Sequence, residues 1–131
     1  VKDRPTSAHE KIYLFAKNRK YYYDADAIRV PQKQDSIAMA NKRNVWTVTT
    51  KPFRGAHFAV FPPDLIEPCI KAGCPVGGTV LDPFGGSGTT GLVANNLGRN
   101  AVLIELNEDY VDIAKKRLDD NLGLFSEVKD G

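Results

Sequence analysis

Hydrophobic and polar positions divide the chain into two regimes that meet near residue 62. Before that point apolar residues come in short clusters. "KIYLFA" at 11–16 and "KYYYD" at 20–24 are aromatic and β-branched runs flanking Lys17-Asn18-Arg19, which predicts an antiparallel hairpin. Residues 25–44 lose periodicity and predict a polar loop, of a length that in a compact domain implies either a function or mobility. A brief strand, "VWTVT", is expected at 45–49 and ends at Lys51-Pro52.

Beyond residue 62 helical and strand patterns alternate. "PPDLIEPCIKAG" predicts a helix with Asp64 as N-cap, Glu67 three residues on and Gly73 closing the far end. Pro68 falls near its first turn, which limits its cost. "GTVLDPF" at 78–84 reads as a short apolar strand, and "TTGLVANNLG" at 89–98 as a helix that opens from a glycine loop and closes at Gly98. "AVLIEL" at 101–106 is a nearly unbroken apolar run, as expected of a strand covered on both faces. Asn107 is placed to cap a last helix with Val111, Ala114 and Leu118 on one face and Lys115, Lys116 and Arg117 in its final turns.

Strand, glycine loop, helix, strand, helix is a β-α-β unit of the doubly wound type, so the predicted fold class is α/β and Rossmann-like. With only two parallel strands legible, the sheet is incomplete. Either the chain belongs to a larger protein or a partner completes its sheet, and an open edge suits a homodimer. The expected organisation is a hairpin at 1–24, a basic loop and short strand at 25–54, a ligand-binding β-α-β region at 55–122 and a tail at 123–131.

Composition narrows the class. A chain of 131 residues accommodates one domain with one core, and its mix of 42% hydrophobic and 26% charged residues is that of a soluble globular protein. No apolar run approaches the roughly eighteen residues a membrane span needs, and "VKDRPTSAHE" lacks the apolar core of a signal peptide. A cytoplasmic location with no membrane partner is expected. Cys69 and Cys74 have no accompanying His/Cys cluster, so they read as free thiols and no metal is expected.

Charge adds an asymmetry that the net value of +2 conceals. Residues 1–54 carry 12 Lys/Arg against 5 Asp/Glu, a net of +7, while residues 55–131 carry 6 against 11, a net of −5. A basic half points to an anionic partner, with Arg29, Lys33, Lys42 and Arg43 placed to hold phosphates. A solvated basic loop explains the charge equally well. Trp46 and Tyr21-Tyr22-Tyr23 read as packing residues rather than base-stacking ones.

The richest stretch is "LDPFGGSGTTG" at 81–91, with G-x-G-x-x-G at Gly86, Gly88 and Gly91. No Lys follows in P-loop position, which excludes that motif. A dinucleotide fits the glycines, and Glu105 lies at the distance expected of a ribose-binding acid. Asp82, however, stands at the end of the first strand, where it would repel a pyrophosphate. S-adenosylmethionine has no phosphate and carries an ammonium and a sulfonium, which suit Asp82; its ribose hydroxyls suit Glu105, and the glycines admit close backbone approach. NAD or FAD in an oxidoreductase remains the alternative. A non-catalytic DNA-binding remnant or subunit is a third.

The segment "DPFGGSGTTGLVANNLGRNAVLIELNEDYVDIAKKRL" resembles the cofactor motif and following acidic strand of the amino-methylating DNA methyltransferases, which modify adenine N6 or cytosine N4. The resemblance implies S-adenosylmethionine as cofactor, held by Asp82, Pro83, Phe84, Gly86, Ser87, Gly88, Thr89, Thr90 and Glu105, with Leu106 and Asn107 at the adenine. "GAHFAVFPPDLIEPCIKAGCPVGGTVLDPF" is similar to the preceding segment, in which His57 and Phe58, with Phe61 and Pro62, would wall the methionine end. His57 reads equally well as a structural residue. The family's further adenine-contacting acid has no clear match, Asp119 and Asp120 being poorly placed.

In the same family a [DNS]-P-P-[YFW] tetrapeptide binds the target amine and stacks on the flipped base. The Pro-Pro of this chain, in Phe61-Pro62-Pro63-Asp64, has the wrong residue on each side. The resemblance therefore implies the cofactor-binding C-terminal part of a methyltransferase of the group that places its catalytic motif first. Double-stranded DNA and an N-terminal catalytic half are the expected partners, and the chain alone is expected to be inactive.

Overall fold

The computed structural model describes residues 3–32, 37–49, 60–121 and 128–129. Two short strands, β1 (Val30–Pro31) and β2 (Met39–Ala40), pair antiparallel. They are followed by α1 (Pro63–Gly73), β3 (Thr79–Asp82), α2 (Thr89–Asn96), β4 (Asn100–Leu103) and α3 (Glu108–Asn121). β3 and β4 are parallel, with Val80 opposite Ala101 and Asp82 opposite Leu103. The predicted β-α-β unit is thus present.

Helix α2 is the hub. It packs against both strands, against α1 and against α3, and Ala94 at its centre is fully buried. Ile70 and Cys74 from the α1 side meet Val93 and Ala94, with Ile66, Val80 and Leu97 against them. Both cysteines are free thiols, and burial raises the Cys69 thiol above its ordinary value. Gly98, at φ +72°, ends α2 in the left-handed conformation that favours glycine.

Four sequence expectations need correction. The hairpin at 11–16 and 20–24 is absent, for neither run carries a strand. Phe15 is 87% exposed and Tyr13 67%; a two-stranded ribbon is marginal unless it has a surface to bury its apolar face on. The strand expected at 45–49 is likewise not formed, and Trp46 there donates its indole N–H to the Arg43 carbonyl. Helix α1 starts at Pro63 rather than after an Asp64 cap, because a proline at N1 brings a preset φ and loses no helical hydrogen bond.

The fourth concerns β4, which is covered on one face rather than two. Leu81 and Val102 are register partners on the face turned away from α2, and they stand 62% and 50% exposed. The sheet is partial among the described residues. Beside β3 an open cleft of about 520 Å³ is lined by Ile66, Ile70 and Val80 among others. No helix among the described residues is long and apolar enough to cross a membrane.

Candidate functional site

A carboxylate stands at the end of β3 and another two residues past the end of β4, and the glycine loop lies between them. Asp82, the last residue of β3, accepts bonds from the Phe84 N–H at 2.9 Å and the Thr90 hydroxyl at 2.5 Å. Glu105, just past β4, accepts from the Gly86 N–H at 2.8 Å through one oxygen and from the Asn107 N–H at 2.9 Å through the other. These backbone donors hold the Glu105 carboxyl below its ordinary value, the Asn107 bond foremost. The loop is stitched to the residue after β4 by the Gly85 N–H to the Ile104 carbonyl at 2.8 Å and turns on the Gly88 N–H to the Gly85 carbonyl at 2.9 Å.

The glycines have separate reasons. Gly86 and Gly88 adopt φ of +51° and +80°, where a side chain is strained. A Cβ on Gly88 would also lie 3.1 Å from that of Ala114. Gly91 gives the helix–sheet approach, since a Cβ there would meet Leu103 Cδ1 at 2.9 Å.

The hydroxyls of this motif turn inward. Ser87, Thr89 and Thr90 are 5%, 2% and 4% exposed, and each is held by a charged group: Thr90 by Asp82, and Ser87 and Thr89 by Arg117. What faces outward is apolar. Phe84 is 85% exposed and Leu106 97%, and a cavity of about 270 Å³ runs from Val60 and Phe61 past Phe84, Gly85, Gly86 and Ser87 to Tyr110. Pro83 is exposed beside it. Asn107 caps α3, its side-chain oxygen accepting the Asp109 N–H at 2.9 Å.

His57, Phe58 and Lys33 lie outside the described residues. The other basic residues do not converge on the loop site. Arg29 donates to the Met39 carbonyl and pairs with Asp26, tying β2 to the segment that precedes β1. Lys42 lies over the Trp46 ring at 4.9 Å, and Arg43 is exposed. Arg117, read in the sequence as a dipole-complementing residue, reaches the loop instead. Its signal was positional: it stands one turn after Ala114, on the face that abuts Gly88.

Residues 1–116 match the sequence profile of a DNA methylase family. The chain belongs to this amino-methylating DNA methylase family. It is 55% identical over 118 residues to the type II methyltransferase M.Cfr9I of Citrobacter freundii, an alignment covering 90% of this chain and 39% of that protein. It is 50% identical over 118 residues to M.SmaI of Serratia marcescens, covering 90% of this chain and 40% of that one. The chain thus spans about two-fifths of the length of these relatives.

Among solved structures, the M1.HpyAVI–SAM complex matches with a TM-score of 0.58 and 30% identity, over 76% of this chain and 44% of that one. The PvuII cytosine-N4-specific DNA methyltransferase matches with a TM-score of 0.61 over 81% of this chain and 38% of that one, at 24% identity. The fold is therefore the Rossmann-like α/β fold of the methyltransferases, here with a partial sheet. Membership of the DNA methylase family displaces the oxidoreductase alternative.

Proposed function

We propose that this chain is the S-adenosylmethionine-binding part of a DNA methyltransferase that methylates an exocyclic amine of adenine or cytosine. The observation that carries the reading is the bond from the Gly86 N–H to Glu105. In a dinucleotide site, loop amides face a pyrophosphate. Here an amide of the loop is committed to a carboxylate, and a second carboxylate, Asp82, closes the adjacent strand. Such a loop repels a phosphate and accommodates a cation.

The residues fit the cofactor in other respects. Glu105 uses one backbone bond on each oxygen and keeps acceptor capacity for ribose hydroxyls. The exposed side chains of Phe84 and Leu106 offer apolar surface to a purine, and the cavity at Phe61 and Tyr110 extends past the loop. Bound S-adenosylmethionine supplies an activated methyl group on a sulfonium. The protein contributes placement of that group in line with the acceptor amine. Ser87, Thr89 and Thr90 act within the loop, by holding its shape, rather than through their hydroxyls on the ligand.

The target amine and flipped base require the family's Pro-Pro tetrapeptide, which these 131 residues do not contain. The reading therefore assigns that step to a catalytic segment joined to this one in the working enzyme, with DNA as its substrate. Of the basic residues, Arg43 and Lys42 are proposed to touch phosphate, while Arg29 ties β2 to the segment before β1.

Calorimetric titration of the chain with S-adenosylmethionine and with NAD tests the cofactor. Binding of the first and not the second is expected, and Leu106→Ser is expected to weaken it by about tenfold through lost stacking area, with an unchanged Tm. Equal or stronger binding of NAD would overturn the reading. Transfer of labelled methyl groups to DNA tests the division of labour. The isolated chain should transfer none, and robust methylation by it would return the amine-binding step to these residues.

A further inference from the structure

Arg117 is not among the residues that motif reading assigns to the site, yet its guanidinium reaches the glycine loop at both Ser87 and Thr89. From α3 its Nη1 donates to the Thr89 hydroxyl at 2.8 Å, and lies 3.2 Å from the Ser87 hydroxyl and 3.3 Å from the Ser87 carbonyl. The partners are 28 and 30 residues away in sequence, so the contact exists only in the folded chain. The guanidinium is half-buried and held below its ordinary value by that burial, while remaining charged.

We propose that Arg117 is a positioning residue for the cofactor, acting through the loop rather than on the ligand; the proposal rests on the loop being the S-adenosylmethionine site. Three charged groups pin the loop: Asp82 at Thr90, Glu105 at Gly86, and Arg117 between them at Ser87 and Thr89. The first two come from the strand ends that line the site. Arg117 comes from the α3 side, where Ala114 abuts Gly88. Gly86 and Gly88 give this segment more backbone freedom than other residues would. Anchoring the Ser87 carbonyl fixes the peptide plane that leads into Gly88, whose own N–H closes the turn on Gly85. A loop ordered beforehand lowers the entropy cost of binding.

The test compares the chain with Arg117→Met, which keeps the apolar stem, with Arg117→Lys, and with Thr89→Val, alone and combined with Arg117→Met. The probes are S-adenosylmethionine affinity and amide hydrogen exchange in the ligand-free chain. Arg117→Met is expected to weaken binding by about tenfold, with Thr89→Val adding little on top because both remove the same contact. Arg117→Lys keeps one donor and should recover part of the loss. Exchange at Gly86–Thr89 should rise about tenfold in Arg117→Met while Ile70 and Ala72 in α1 keep their rates.

Unchanged affinity with unchanged loop exchange would overturn the proposal. So would exchange that rises equally in α1, which marks general destabilisation. If the unaltered chain binds no S-adenosylmethionine, the cofactor reading fails, and loop exchange still decides whether Arg117 sets the loop.

Discussion

Residues 11–16 and the loop at 84–91 invert the usual relation between composition and burial. The first carries Ile12, Tyr13, Leu14 and Phe15, all more than half exposed. The second is mostly glycine, serine and threonine, yet Gly85 and Ser87–Gly91 are buried. The difference lies in what surrounds each. The loop sits between two strand ends and α3, and its polar groups find partners at Asp82, Glu105 and Arg117. Residues 11–16 have aromatic company, Tyr13 and Phe15 with ring centroids 6.2 Å apart, but stay exposed. Hydrophobicity supplies the tendency to be buried, and tertiary partners decide whether it is realised.

Substitutions should expose that contrast in steps. The largest loss is expected for Gly88→Val, which combines a β-branched residue at φ +80° with a Cβ 3.1 Å from Ala114. Strain and overpacking together should cost about 3 kcal/mol in urea unfolding, with loss of cofactor binding. Next comes Thr90→Val, which keeps the shape but removes a buried donor from a carboxylate; about 2 kcal/mol is expected by the same measurement. A smaller effect depends on pH. Because the folded value of Glu105 is depressed, its contribution is fully present above the ordinary carboxylate range and is lost as pH falls through the lower folded value. Unfolding titrations in that acidic window should show Glu105→Gln with a flatter profile than the unaltered chain.

The smallest effect is expected where the sequence looks most apolar. Phe15→Ser, at a side chain 87% exposed, should change stability by no more than about 0.5 kcal/mol in urea unfolding. A loss above about 2 kcal/mol would show that the residue is buried in solution and would break the comparison.

Residues 62–121 were readable because their signals are local. Gly98 closing α2 and Asn107 capping α3 each follow from a few neighbouring residues, and Asp82 and Glu105 follow from the motif spacing that links the two strand ends. The absence of the hairpin has the complementary cause. Aromatic and β-branched residues favour strands where a sheet accepts them, and that acceptance is not local. Asp64 shows the same limit at small scale: a good capping residue was displaced by the proline beside it.

The sequence by itself determined the β-α-β order, the left-handed glycines and the family to which the loop belongs, since backbone stereochemistry and residue spacing are written in it directly. Only the tertiary structure decided the direction in which the loop hydroxyls point, the exposure of Leu81 and Val102, and the reach of Arg117 to Thr89 across 28 residues. Those depend on which surfaces the folded chain brings together, and a charged side chain leaves water only where such a surface offers it partners.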